Sequence, residues 1–208
     1  MRDHRAPWVN TTHDWAAAAD QEHLAQIRAQ PARYAPGGVR HLILEVLAYA
    51  ADEAEAASRV GRGIVTLHAD GSVSVADDGR GTDTRVDPAG RVIKKPVVGT
   101  KDLRFFDDPD AETLPDGHPR RGMSVVAALS EWLIHTNRRT GGSWTQRYEH
   151  GVPTTDLRPV ADDGTTGTTV HFQPDIAILV RPGVMAYEPA RAASWPQLRV
   201  EFVDERPS

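Results

Sequence analysis

The 208-residue chain has no cysteine, and only three of its 24 cationic side chains are lysine (Lys94, Lys95 and Lys101). The lack of thiols excludes a disulfide framework and a thiolate metal site, and it makes the reducing cytoplasm the expected location. No stretch of about 18 apolar residues occurs, so no membrane-spanning helix is expected. The first fifteen residues contain no apolar run, and no secretory leader is expected there. Positive charge is also in short supply: the formal net charge is -5. A surface of that balance predicts no large basic face, hence no tight direct binding to nucleic acid. Nine histidines are present, but none falls in the HExxH or paired-histidine spacing of a metal site. His4, His13, His23 and His41 are expected at the surface or at an interface. The tryptophans at 8, 15, 132, 144 and 195 read as core or interface anchors.

Length and composition fit one domain. Residues 1–20 are polar and read as an N-terminal arm, and 21–208 as the domain. A short helix over 21–30 is stopped by Pro31, and Pro36-Gly37-Gly38 makes a turn. Helical spacing is clearest over 39–57, where Ile43, Leu47, Ala50 and Ala54 form an apolar stripe, with Leu42, Val46, Tyr49 and Glu53 beside it. Residues 63–69 alternate like a strand, Asp70-Gly71 signals a hairpin, and 72–76 return. About forty residues, 82–121, are rich in Pro, Gly and Asp without periodicity and read as a lid-like segment. A helix over 122–133 follows, then strands at 133–138, 143–149 and 167–173, a helix at 186–195 and a last strand at 197–204. The sum is an α+β, two-layer sandwich: a mixed, mostly antiparallel sheet with helices on one face.

Four segments carry candidate chemistry, in this order: the helix from Glu45 to Ala54; Asp77-Asp78-Gly79-Arg80-Gly81 after the hairpin; Arg121-Gly122-Met123-Ser124 opening the next helix; and Thr166-Gly167-Thr168-Thr169 opening a strand. Tyr148-Glu149-His150-Gly151 adds a fifth. Together, and from about residue 22 to the end, the chain resembles the ATPase domain of DNA gyrase B, a branch of the GHKL superfamily that also holds Hsp90, histidine kinases and MutL.

The resemblance implies an adenine-nucleotide site for ATP or ADP. Glu45 matches the family's general base, a carboxylate that takes a proton from the attacking water. The family places a Mg²⁺-binding Asn one turn later, where this chain has Tyr49, and Ala48 replaces a family Asp. A phenol is a poor ligand for Mg²⁺, which prefers carboxylate, carbonyl and water oxygens. Asp52 shares the face of Glu45 and is a candidate substitute for the metal contact. Asp77 matches the Asp that accepts a hydrogen bond from the adenine amine, and Thr168 the Thr that supports the base. Gly79 and Gly81 let the backbone approach the base, and Arg80 is expected to pair with Glu53. Thr82-Asp83 stands where the family has Ile-Pro.

The glycine-rich phosphate lid of the family is replaced by His118-Pro119-Arg120-Arg121-Gly122-Met123-Ser124. Arg120 and Arg121 are expected on phosphate, beside Gly122 at a helix start, or as two surface arginines. Upstream, Lys101, Arg104, Phe105 and Phe106 depart from the usual lid. The expected function is adenine-nucleotide binding with impaired or lost hydrolysis and Mg²⁺ in doubt. The alternative is a nucleotide-free interaction module that dimerises, or pairs with a gyrase-B-type partner, through the N-terminal arm.

Overall fold

The computed structural model describes residues 20–81, 112–179 and 195–207, together with short paired segments at 85–86 and 92–93. The N-terminal arm, the candidate helix at 186–195, and Lys101, Arg104, Phe105, Phe106, His4 and His13 lie outside the described residues.

Helix α1 (Gln21–Ala29) starts where the Asp20 carboxylate accepts the His23 amide, and it buries His23, Leu24 and Ile27. That side-chain cap satisfies one of the amides a helix start leaves open. A single turn, α2 (Pro31–Tyr34), begins on proline, whose missing N–H costs nothing at that position. Helix α3 (Val39–Ala56) buries Leu42, Ile43, Val46, Leu47, Ala50 and Ala54, which keeps its stripe on the sheet. Helix α4 (Met123–Ala128) is buried throughout, and the short α5 (Ile176–Leu179) follows the last central strand.

The strands are β1 (Gly61–Leu67), β2 (Val73–Asp77), β3 (Arg85–Val86), β4 (Val92–Ile93), β5 (Ser130–Arg139), β6 (Gly142–Glu149), β7 (Val152–Pro153), β8 (Arg158–Pro159), β9 (Gly167–Pro174) and β10 (Leu198–Asp204). The main sheet runs β10-β1-β2-β9-β5-β6-β7, with β8 on β6, while β3 and β4 pair separately. Only β1–β10 is parallel among the described pairings. Helices α3 and α4 pack on this sheet, and the core between the layers contains Leu47, Val65, Val75, Val126, Leu133, Val170 and Phe172. The architecture is the expected α+β sandwich. No helix among the described residues is long and apolar enough to cross a membrane.

Two boundaries differ from the sequence reading. The helix expected over 122–133 ends at Ala128, and β5 begins at Ser130. Ser130 Oγ donates to the Val126 carbonyl at 2.6 Å, closing the helix, and a bulge follows between Ser130 and Trp132. The apolar run there fits either period, so periodicity alone does not place the switch. Within the segment read as lid-like, residues 112–121 are packed: Thr113 bridges Pro119 across a turn, and Leu114, Arg120 and Arg121 are buried.

Candidate functional site

A cavity of about 490 Å³ opens between α3 and the sheet, within the size range of small-molecule sites. Helix α3 contributes Val46, Tyr49, Asp52, Glu53 and Ala56 to its wall. Asp77, Arg80 and Gly81 come from β2 and the loop after it; Met123 comes from α4 and Thr168 and Val170 from β9. Of the residues singled out in the sequence, Tyr49, Asp52, Asp77, Gly81 and Thr168 therefore meet in one place. Glu45, Gly79, Arg120, Arg121 and Gly122 are not among the lining residues.

At one end, the Asp77 carboxylate accepts the Gly79 amide at 2.7 Å. Burial pushes its pKa above the ordinary carboxylate range, against the pull of hydrogen bonds from the Gly79 and Thr168 backbones. A Cβ at Gly79 would stand 2.8 Å from Asp77 Oδ1 and 2.8 Å from Glu53 Cγ, so only glycine leaves that carboxylate in position. Gly81 has φ +75° and lies against the Arg138 carbonyl, where no Cβ fits. Arg80 holds the loop to α3 through Glu53, with Nε–Oε1 at 2.6 Å and Nη2–Oε2 at 3.2 Å. This is the pairing expected from the sequence, and it draws the Glu53 pKa down. The neighbouring Asp78 turns outward to Arg59.

Two wall residues escaped the sequence reading. His135 on β5 lines the cavity, and desolvation pushes its pKa down to about 4. Arg139 reaches toward the Gly81 carbonyl, Nη1–O 3.4 Å. Their spacing on one strand was the available signal, since residues four apart share a face, but the strand's pairing with β9 was needed to say which face.

Two of the α3 wall residues, Tyr49 and Asp52, belong to a charged cluster. Arg120 is bound by Asp52 through two contacts, 2.7 and 3.1 Å, and by Glu112 at 2.7 Å. Its guanidinium carbon lies 4.6 Å from the centre of the Tyr49 ring. The Arg120 side chain is 0% exposed, whereas Asp52 and Glu112 are 45% and 51% exposed. Arg121 is buried as well. The two are therefore not a surface pair; a buried guanidinium is tolerated here because carboxylates neutralise it.

Glu45 is fully buried, its two oxygens accepting the backbone amides of Arg121 and Gly122 just before α4. Beside it, His41 Nδ1 lies 2.7 Å from Asp116 and Nε2 lies 3.4 Å from Glu45. Burial alone would lower the His41 pKa, but the Asp116 hydrogen bond and the adjacent Glu45 carboxylate overcome this and raise it to about 9. The surface or interface placement expected for His41 and His23 is corrected: both pack inside the domain. Both are buried, and His23 shares a 3.0 Å hydrogen bond with the Ser124 hydroxyl. An imidazole gains a buried position when polar partners replace water, and these partners come from distant parts of the chain. No group of three or more His, Asp or Glu among the described residues is arranged to hold a metal ion.

No family model matches the chain. Individual proteins do. The chain is 34% identical over 191 residues to DNA gyrase B of Thermotoga maritima, covering 87% of this chain and 30% of that protein. It is 38% identical over 167 residues to the mitochondrial DNA gyrase B of Arabidopsis thaliana, covering 74% and 22%. To the B-type subunit of the type 2 topoisomerase of Aquifex aeolicus it is 32% identical over 216 residues, covering 99% and 27%. The chain thus spans less than a third of the length of these relatives.

Proposed function

Since this chain is a gyrase-B-like domain, we propose that it binds an adenine nucleotide in the cavity between α3 and the sheet, with hydrolysis impaired or lost. The observation that carries this reading is the half-buried Asp77 carboxylate at the cavity wall beside Gly81 and Thr168, oriented by the Gly79 amide. A carboxylate offers about four lone-pair sites, so the bonds from the Gly79 and Thr168 backbones leave capacity for an exocyclic amine. A guanine, with a carbonyl at that position, would face the acid with a second acceptor.

The residues present do not fit Mg²⁺. Tyr49 stands where the family resemblance expects the metal-binding Asn, and both Asp52 oxygens are engaged by Arg120. Mg²⁺ demands several compact oxygens in octahedral order, and this end offers a ring stacked on a cation. Glu45, the candidate base, already accepts two backbone amides and does not line the cavity. An attacking water would have to displace one of those bonds before Glu45 could take its proton.

The test is a crystal structure with a non-hydrolysable ATP analogue. The expected result is the adenine amine within about 3 Å of the Asp77 carboxylate; a base seated elsewhere, or a coordinated Mg²⁺ beside Tyr49, overturns the reading. The closed Arg120–Tyr49 cluster favours a second reading, an interaction module that forms a homodimer or pairs with a gyrase-B-type partner. That reading expects a concentration-dependent dimer indifferent to ATP.

A further inference from the structure

The charged residues that line the cavity are each engaged already. Asp77 accepts the Gly79 amide, Glu53 holds Arg80, Asp52 holds Arg120, and Arg139 reaches the Gly81 carbonyl. His135 differs. Its half-buried imidazole lines the same cavity, and among the described residues none hydrogen-bonds or ion-pairs with that ring. The strand register places it relative to Asp77. His135 pairs with Val170 on β9, and Val170 pairs with Val75 on β2, two residues before Asp77. A strand spacing of about 4.8 Å and a rise of about 3.3 Å per residue put the two Cα atoms about 12 Å apart. Thr168 and Val170 line the cavity on the strand between them. Val46, about two helical turns before Glu53, and Met123 at the start of α4 add apolar wall, and both pack with Val170 in the main core.

Resting on the reading that Asp77 accepts the adenine amine, we infer that the base lies over Thr168 and Val170 and that His135 is its second polar contact, donating a hydrogen bond from its ring N–H to an acceptor nitrogen of the base. The apolar wall favours this placement, because a base buries its faces best against Val46, Met123 and Val170. Two side chains reaching inward from about 12 Å apart leave room for one planar base with a hydrogen bond at either end. An imidazole carries at least one N–H in either protonation state. A base that covered this N–H without accepting from it would strip its water and leave a polar group unpaired. An acceptor at Asp77 and a donor at His135 thus discriminate against bases that lack the matching group at either point.

The experiment is a calorimetric comparison, on the full chain, of adenosine with its deaza analogues, each with a different acceptor nitrogen of the base replaced by C–H. At least one analogue is expected to bind the wild type about fivefold more weakly than adenosine, the equivalent of one hydrogen bond. In His135→Phe that difference is expected to vanish. Analogues that all bind the wild type as adenosine does, or a loss that persists undiminished in His135→Phe, overturn this inference while leaving recognition by Asp77 intact. The nitrogen resonances of the His135 ring give a second readout that needs no variant. They are expected to shift when the wild type is saturated with adenosine, and unchanged resonances overturn the inference. No binding of adenosine, or binding unchanged by Asp77→Ala, overturns the underlying reading instead.

Discussion

Arg120 lies 4.6 Å above the centre of the Tyr49 ring while Asp52 grips the same guanidinium at 2.7 Å. A cation, a ring and a carboxylate are thereby held together beside the cavity wall that Tyr49 and Asp52 form. Glu112 completes the neutralisation. The cluster ties residues 112–121 to α3, and on the reading proposed above it leaves Tyr49 and Asp52 unsuited to hold a metal.

The first prediction concerns that cluster. Asp52→Ala combined with Glu112→Ala leaves a buried guanidinium without counter-charge. Stability is expected to fall by about 2–3 kcal/mol, less than for a wholly buried pair because both carboxylates are half exposed. Adding Arg120→Met removes the stranded charge, and urea denaturation should show most of the loss recovered. A triple variant no more stable than the double one would mean that the guanidinium is not held by these acids.

His41 makes stability depend on pH. Its pKa is raised to about 9 in the fold from an ordinary value of 6.5, so the folded state binds the proton more tightly than the unfolded state. The contribution is complete below about pH 6.5 and is lost as pH rises through 9, amounting to at most about 3 kcal/mol. Unfolding free energies measured between about pH 6 and 9.5 should decline, and His41→Gln should flatten the decline. An unchanged slope in that variant would assign the effect to other groups.

Gly79→Ala tests the shape of the adenine end. The new methyl would press on both Asp77 Oδ1 and Glu53 Cγ, turning the carboxylate from its position. Adenine-nucleotide affinity is expected to fall by about tenfold, the equivalent of one displaced hydrogen bond, with the circular dichroism spectrum unchanged. Wild-type affinity in a folded Gly79→Ala protein would place the ligand elsewhere.

Glu45→Gln separates structure from catalysis. An amide has one accepting oxygen where the carboxylate uses two, so the variant is expected to lose about 2 kcal/mol of stability. ATP turnover, expected at background in the wild type, should not change. A measurable wild-type rate abolished by Glu45→Gln would show that Glu45 still serves as a base.

Much of the scaffold was legible in the sequence. The α3 stripe of Ile43, Leu47, Ala50 and Ala54, and the alternation of β1 and β2 around Asp70-Gly71, are local patterns, and local patterns survive without tertiary information. The Arg80–Glu53 pair was readable because two motif segments supplied it. The Arg120 cluster was not, since Asp52 lies 68 residues away and nothing in a pair of adjacent arginines says which carboxylates will neutralise them. His41 hid for the same reason: its partner Asp116 is 75 residues distant. The end of α4 was missed because Val125, Val126 and Leu129 satisfy both a helix and a strand, and the Ser130–Val126 bond that decides between them is a tertiary-scale detail.

The most direct measurement is a calorimetric titration of ADP into the wild-type protein and into Asp77→Ala, each with and without Mg²⁺. Wild-type binding that is indifferent to Mg²⁺ and weakened at least about tenfold by Asp77→Ala is the expected result. Absence of wild-type binding, equal affinity in the two proteins, or a strong requirement for Mg²⁺ would contradict it.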